Sequence, residues 1–162
     1  MHHAAADRIR PDSAPPPASR PDRAGWPAIV VVEAQPVLSA TLAELFEALR
    51  IRLLHVASGP ALDAVLRHER PLGVMAHLPR AEPTATGTQI GDALGLVARH
   101  DSTLPVMVVT DPPANDVRAA GDIGARPLVN LVWMPRPPGL KMVIEFLFMA
   151  ERRRGVPGLL PA

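Results

Sequence analysis

Five short apolar runs, of five to seven residues each, constrain the fold of this chain most strongly. The clearest run, Ala28–Val32 (AIVVV), is continuous and β-branched, which is typical of a strand buried on both faces of a parallel sheet. The other predicted strands are Arg52–Ala57, Leu72–Leu78, Pro105–Thr110 and Leu128–Trp133. The segments between them are long enough for helical crossovers, which run right-handed and cover both sheet faces. The predicted fold class is therefore α/β, a flavodoxin-like (βα)5 three-layer sandwich.

Helical periodicity, together with the Ser, Gly and Pro residues that begin or end helices, predicts five helices between and after these strands. They are a stripe from Leu38 to Leu49, a segment from Ser58 to His68, one from about Gln89 to His100, a short weak one at Ala114–Ala120, and a last one from about Gly139 to Arg154. Ser39 or Thr41 is a candidate cap for the first helix. Pro79–Thr88, with three threonines and two prolines, is predicted as a polar loop.

The last helix carries more apolar residues than one buried stripe needs. Its predicted buried stripe consists of Leu140, Val143, Ile144 and Leu147, with Phe148 as a further candidate. The apolar excess consists of Met142, Phe146, Phe148 and Met149. An exposed excess of this kind suits an interface with another protein.

Composition changes sharply at Pro27 and again after Arg154. Residues 1–26 are dominated by Ala, Pro, Arg and Asp and contain too few apolar residues to offset the entropy of ordering them, so they are predicted to be a disordered arm. Residues 27–154 are predicted to form the one folded domain, and residues 155–162 a short tail.

Charge, cysteine content and motifs argue against several functional classes. A net charge of +1 and an aromatic content of 3% give no basis for nucleic-acid binding. The absence of cysteine removes disulfides and thiolate metal sites and fits a reducing cytosol. Neither a membrane-spanning segment nor a phosphate-binding or nucleophile motif is apparent. The expectation is a cytoplasmic, non-enzymatic protein without a cofactor or a membrane association.

The order of these elements and their punctuation resemble a known family. The punctuation consists of Glu33-Ala34-Gln35-Pro36 after the first strand, Leu104-Pro105 before a strand that ends in Thr110, Ala119-Ala120-Gly121, and Met134-Pro135 after the fifth strand. From Ala28 to about Arg154 the chain resembles the CheY-like receiver domain of bacterial two-component response regulators. The resemblance implies a parallel sheet with strand order 2-1-3-4-5 and a role in bacterial signalling.

The same resemblance indicates where phosphorylation chemistry would lie. In the family, acidic residues after the first strand hold Mg²⁺, an aspartate ending the third strand accepts the phosphoryl group, and a hydroxyl and a lysine contact that group. The matching positions here are Glu33 and Ala34, His77, Thr110, and Met134 followed by the retained Pro135. A single carboxylate is a poor site for Mg²⁺, which prefers octahedral oxygen ligation. The resemblance therefore implies a degenerate pocket without aspartyl phosphorylation or a resident metal.

His77 admits three interpretations. In the preferred interpretation, it fills the degenerate phosphorylation pocket as a neutral ring that hydrogen-bonds to Thr110 or Glu33. It can be a phosphohistidine or a metal ligand, or it can form a pH-sensitive contact with Glu33. His55 is predicted on the second strand with the first strand between it and His77, so a metal pair of these histidines is not expected.

The leading functional hypothesis is a stand-alone degenerate receiver that works by phosphorylation-independent protein–protein interaction. By resemblance, the interaction face is made by the fourth helix, fifth strand and fifth helix, and it docks a protein partner or a second copy in a homodimer. The candidate residues are Trp133, Arg136, Lys141, Met142, Phe146 and Met149.

Two alternatives remain open at this point. One is a flavodoxin-like small-ligand binder or enzyme that uses the strand-end crevice, with hydroxyls from Thr84, Thr86 and Thr88. The other is an atypical receiver that is still modified.

Overall fold

The computed structural model describes residues 23–78, 83–110, 128, 130–135 and 137–155. Five strands and four helices lie within this part of the chain: β1 (Ala28–Val32), α1 (Val37–Ala48), β2 (Arg52–Val56), α2 (Gly59–His68), β3 (Gly73–Leu78), α3 (Pro83–His100), β4 (Val106–Thr110), β5 (Leu131–Pro135) and α4 (Leu140–Arg154). All strand pairs are parallel and the sheet order is β2-β1-β3-β4-β5. The predicted fold class and strand order are confirmed.

Two apolar layers cover the two faces of the sheet. Alternate residues of a strand point to opposite faces, so one continuous run can feed both layers. On one face, Ile29 and Val31 pack with side chains of α1 and α4, among them Phe46. On the other, Val30 packs with α2 and α3, including Leu62. The central run is buried on both sides, as its uninterrupted apolar character predicted.

Two element boundaries differ from the sequence-based prediction. Helix α3 begins at Pro83, within the segment predicted to be a loop, because proline is tolerated in the first helical turn, where no backbone donor is needed. Strand β5 is displaced toward the C-terminus and includes Met134 and Pro135, which were predicted as connector. It lies at the sheet edge, where a proline does not break a central ladder. The predicted helix Ala114–Ala120 lies outside the described residues.

The buried face of α4 is rotated relative to the predicted stripe. Phe146, predicted as part of an interaction face, is 2% exposed, and Leu140, predicted as core, is 59% exposed. The physical reason lies in β3, where a Cβ on Gly73 would be 2.8 Å from Phe146 Cζ and 2.9 Å from the carbonyl oxygen of Pro105. The missing side chain at Gly73 thus leaves the space that the Phe146 ring fills.

Residues just before the first strand contact the domain. The Trp26 N–H donates to the carbonyl of Arg23, and the Arg23 guanidinium lies over the Trp26 ring at 5.7 Å and pairs with Glu47. Arg52 Nε donates to the Trp26 carbonyl at 3.0 Å. Among the described residues, Arg23 and Trp26 thus contact the domain from within the segment that the sequence assigned to the arm.

Asp101 joins the ends of α3 and α4. One carboxylate oxygen accepts from the backbone N–H and hydroxyl of Thr103, at 2.9 and 2.6 Å, and the other accepts from Arg154 at 2.8 Å. Burial raises the pKa of Asp101, but the Thr103 hydrogen bonds and the Arg154 charge outweigh burial and hold the pKa below its ordinary value.

We expect Asp101→Asn to lower the free energy of unfolding by about 1 kcal/mol at neutral pH. A carboxylate with a depressed pKa stabilises the fold above its ordinary pKa of 3.8, and this contribution is lost as the pH falls through the lower folded-state value. Urea unfolding of wild type and variant from pH 7 to pH 3 should therefore show converging stabilities. The exposed Asp92 on α3 provides the control Asp92→Asn, and a pH-independent Asp101→Asn difference would contradict the prediction.

Candidate functional site

The carboxyl ends of the inner strands bring three predicted site residues to one edge of the sheet. Val32 pairs with Ala76 across β1 and β3, which places Glu33 and His77, the next residues, side by side. Thr110 ends the neighbouring strand β4. Glu33, His77 and Thr110 are all buried. The strand register thus brings these three residues to the same edge of the sheet.

The Glu33 carboxylate faces the N-terminus of α1. Its Oε2 accepts the backbone N–H groups of Val37 at 3.1 Å and Leu38 at 2.7 Å, and its Oε1 accepts that of Ser39 at 2.9 Å. These N–H groups have no partner within the helix, and the positive end of the helix dipole favours an anion there. Glu33 therefore caps α1 from outside the helix.

Ser39 and Thr41, the predicted caps of α1, do not cap the helix with their side chains. Ser39 is capped through its backbone by Glu33, and the Thr41 hydroxyl donates to the carbonyl of Val37 at 2.8 Å. Pro36, which immediately precedes the helix, makes no side-chain capping bond. The sequence signal that was missed is an acidic residue four positions before the start of the helix, preceded by a strand that fixes its position.

His77 lies against the same carboxylate. Its Nδ1 is 3.7 Å from Glu33 Oε2, which is longer than a hydrogen bond, and the two side chains are almost fully buried. The contact has the character of an ion pair only when the imidazole is protonated. The imidazole thus fills the end of β3 while the carboxylate is engaged by α1.

The Thr110 side chain contacts the backbone of Met134, whose own side chain packs into the core. The Thr110 hydroxyl donates to the backbone carbonyl of Met134 at 3.3 Å. The Met134 side chain packs in the apolar cluster beneath α1 and α4 and carries no charge to the strand ends. Pro135 pairs with Thr110 in the ladder, and Ala34 is exposed after β1. The site therefore combines one engaged carboxylate, one engaged hydroxyl and one imidazole.

The remaining histidine near the site contacts the backbone. His55 Nε2 is 3.0 Å from the carbonyl oxygen of Glu33, so a neutral ring must carry its proton on Nε2 to donate to that oxygen. β1 lies between His55 and His77 in the sheet. Among the residues that the structure describes, no group of three His, Cys, Asp or Glu side chains could hold a metal ion.

The candidate interaction residues divide between the surface and the core. Lys141 and Met142 of α4 are exposed, Met149 is half-buried and Phe146 belongs to the core. Trp133 lies in β5, with its side chain outside the described part of the structure, and Arg136 lies outside it altogether. The sequence-based set omitted other exposed residues of α4, among them Glu145 and Arg152.

The loop threonines of the small-ligand alternative have a different setting from the one predicted. Thr84, Thr86 and Thr88 belong to α3, so their backbone is helical rather than an open loop. Their side chains lie outside the described part of the structure. Within the described residues, no helix has the length and apolarity that a bilayer crossing requires.

Comparisons with known proteins bear on the fold. No protein-family model matches the sequence. No curated protein matches it either. Among solved structures, the signal receiver domain of an HD domain-containing protein from Pseudomonas fluorescens Pf-5 superposes with a TM-score of 0.63 at 15% identity, covering 80% of this chain and 98% of that one.

Two further solved structures agree. A response regulator receiver protein from Sinorhizobium medicae WSM419 gives a TM-score of 0.59 at 14% identity, with 80% and 98% of the two chains covered. The receiver domain of a sensor histidine kinase from Pseudomonas aeruginosa PAO1, which has a magnesium ion coordinated in its active site cleft, gives 0.56 at 17% identity over the same shares. The chain thus has the CheY-like receiver fold that its punctuation predicted.

Proposed function

We propose that this chain is a degenerate receiver module of bacterial signalling that binds protein without being phosphorylated. The observation that carries the proposal is the Glu33 carboxylate, which accepts three backbone N–H groups of α1. An acid engaged in this way is already neutralised by the helix terminus, and a hard cation would have to displace those bonds. The proposed role includes no catalytic activity.

The other positions support the same proposal. Phosphoryl transfer to a receiver needs a carboxylate nucleophile, a divalent cation and a nearby positive charge. His77 stands at the acceptor position, and the uncharged Met134 stands at the lysine position with its side chain in the apolar core. A small ligand has no comparable support, since the polar side chains Glu33 and Thr110 are both engaged by the backbone.

The output of such a module is proposed to pass through the surface of α4. Phe148 is 45% exposed, Leu140 is more exposed still, and Met142 also reaches solvent. Exposed apolar side chains of this size make the surface of α4 a candidate for docking protein. A cytoplasmic location in a bacterium is part of the proposal and rests on the receiver fold.

We expect no response to phosphoryl donors or their analogues. Incubation with acetyl phosphate and Mg²⁺ should leave the intact mass unchanged, and beryllofluoride with Mg²⁺ should leave the melting temperature unchanged. The reason is that, among the described residues, the one carboxylate at the strand ends is engaged by α1 and no group of side chains could hold a cation. A receiver domain that carries the acceptor aspartate provides the positive control in both assays.

A phosphoadduct would overturn the proposal. If mass spectrometry located a phosphoryl group on His77 and the variant His77→Asn abolished it, the chain would be a modifiable receiver. A reproducible thermal shift with nucleotides or flavins would instead favour a small-ligand binder.

A further inference from the structure

The arginines of this chain gather at one end of the sheet. Because all five strands are parallel, each helix carries the chain from their carboxyl ends back to their amino ends, and the helices therefore end beside the amino ends of the strands. Arg154, which ends α4, accordingly donates to Asp101 in the loop before β4. We call this end of the domain the amino-end face, and it holds every arginine of the described residues, which are Arg23, Arg50, Arg52, Arg67, Arg70, Arg99, Arg152, Arg153 and Arg154.

Five of these arginines have no partner within the described part of the chain. Four others form ion pairs with acids of the same face, which are Arg23 with Glu47, Arg52 with Glu69, Arg67 with Asp63, and Arg154 with Asp101. The five without a hydrogen bond or an ion pair to a described residue are all exposed, and they are Arg50, Arg70, Arg99, Arg152 and Arg153. Glu151, in the last turn of α4, is the one further acid that the described part of this face contains. The amino-end face therefore has a surplus of positive charge, although the net charge of the whole chain is only +1.

The helix ends account for only part of this surplus. Cations in a last turn are stabilised by the negative end of the helix dipole, which applies to Arg99, Arg152 and Arg153. Arg50 and Arg70 instead lie in the loops that lead into β2 and β3. Arg50 also has a φ of 55°, in the left-handed region where glycine is favoured and a side chain is strained. Strain at an arginine whose side chain bonds to no described residue points to a role outside the fold.

We propose that the amino-end face binds an acidic segment of a partner protein through its five unpaired arginines. A guanidinium group binds a carboxylate through two parallel N–H···O hydrogen bonds, and opposite charges on two surfaces speed their encounter. Acids that are already paired share this face with the free arginines. A peptide can space its carboxylates so that they avoid these acids, whereas the phosphates of a nucleic acid are evenly and closely spaced. The discontinuous positive charge therefore favours a protein partner.

The amino-end face is separate from the surfaces described above. It lies at the end of the sheet opposite Glu33 and His77, which follow or occupy the carboxyl ends of β1 and β3. An acidic segment bound there would leave the degenerate pocket and the exposed apolar residues of α4 free. The inference thus goes beyond the proposed function by adding a second docking surface and the chemistry of its partner, and it rests on that function in taking a protein as the partner. Because the contact is made by exposed charges, it weakens as the salt concentration rises.

The test uses a fluorescein-labelled oligoglutamate peptide of about ten residues, whose binding to the full chain is measured by fluorescence anisotropy at low ionic strength, where screening is weak. Wild type should bind this peptide and should not bind an oligoglutamine peptide of equal length. Arg50→Glu and Arg70→Glu should each weaken binding by about threefold or more, and the double variant by about tenfold or more. Lys141→Glu is the matched control, because it makes the same change of charge at an exposed position at the opposite end of α4, and it should bind within about twofold of wild type.

Arg50→Gly separates binding from a structural role of the arginine. Glycine adopts a φ of 55° without strain, so this variant should have a higher melting temperature than wild type. It also loses the charge, so it should bind the oligoglutamate peptide more weakly. A lower melting temperature together with weaker binding would show that Arg50 supports the fold, and would contradict its assignment to the docking surface.

Three results would overturn the inference. They are a wild type that does not bind the oligoglutamate peptide up to millimolar concentration, a Lys141→Glu variant that is weakened as much as Arg70→Glu, and tighter binding of a short duplex DNA or of phosphatidylglycerol vesicles that the same arginine variants lose. The last result would assign the amino-end face to another class of partner. Thermal unfolding of each variant confirms that loss of binding is not loss of fold. Phosphoryl donors play no part in these measurements, so the degenerate receiver proposal would stand or fall separately.

Discussion

Phe146→Ala is expected to lower the free energy of unfolding by about 3–5 kcal/mol, the usual loss for removing a buried phenyl ring. Phe146 is 2% exposed, and its Cζ occupies the space left by the absent side chain of Gly73. The cavity cannot close easily on the side of β3, because Gly73, which lies against the ring, has no side chain that could move into the space. Urea unfolding followed by far-UV circular dichroism measures the loss.

Phe148→Ala is the matched control for that prediction. Phe148 lies two residues further along α4, is 45% exposed and faces away from the sheet, so its truncation should change the stability of the monomer by no more than about 0.5 kcal/mol. Low micromolar protein concentration keeps self-association out of the measurement. Equal losses for the two variants, or a larger loss for Phe148→Ala, would contradict the observed burial of Phe146 and exposure of Phe148.

Glu33→Ala is expected to destabilise the fold by about 2–4 kcal/mol. The substitution removes a cap and leaves the backbone N–H groups of Leu38 and Ser39 without their acceptor, while that of Val37 keeps only the carbonyl of Gln35. Glu33→Gln keeps one acceptor oxygen but loses the charge that favours the helix terminus, so its loss should be smaller. The free energies of unfolding of both variants are compared with wild type in urea.

Glu44→Gln separates capping from a general effect of charge on α1. Glu44 is an exposed residue of the same helix, and its substitution should be close to neutral. If Glu33→Ala were as mild as Glu44→Gln, the three hydrogen bonds would not be maintained in solution. The support that they give to the degenerate receiver proposal would then be removed.

Much of this fold was accessible from the sequence because its local signals agree. The run Ala28–Val32 had the length and branching of a central strand and forms β1 with the predicted bounds. Gly59–His68 was bounded by Ser58 at its start, and Ser58 does accept a hydrogen bond from the N–H of Ala61. Where the periodicity and the residues at the ends of a segment indicate the same element, that element is present in the fold.

The features that were missed depend on contacts between distant segments. The apolar arc of α4 is so wide that its sequence permits several buried faces, and the choice is made by Gly73 in another element. Glu33 was identified as part of the site but not as the cap of α1, because an acid after a strand signals a metal ligand and a capping acid equally well. The buried face of α4 and the role of Glu33 both depend on the register between strands and on the direction of a side chain, which a local sequence pattern does not specify.

The Glu33 cap also bears on what a carboxylate at position 77 would encounter. A single mutation of His77 to aspartate would place a second buried carboxylate beside one that already lies within a few ångströms of position 77, as the 3.7 Å contact shows. Two neighbouring carboxylates repel each other unless a cation lies between them, and Glu33 could ligate a cation only by giving up its hydrogen bonds to α1. Releasing Glu33 in turn removes the support of the helix. A carboxylate at position 77 that shares a cation with Glu33 and a Glu33 that caps α1 are thus competing demands on the same side chain.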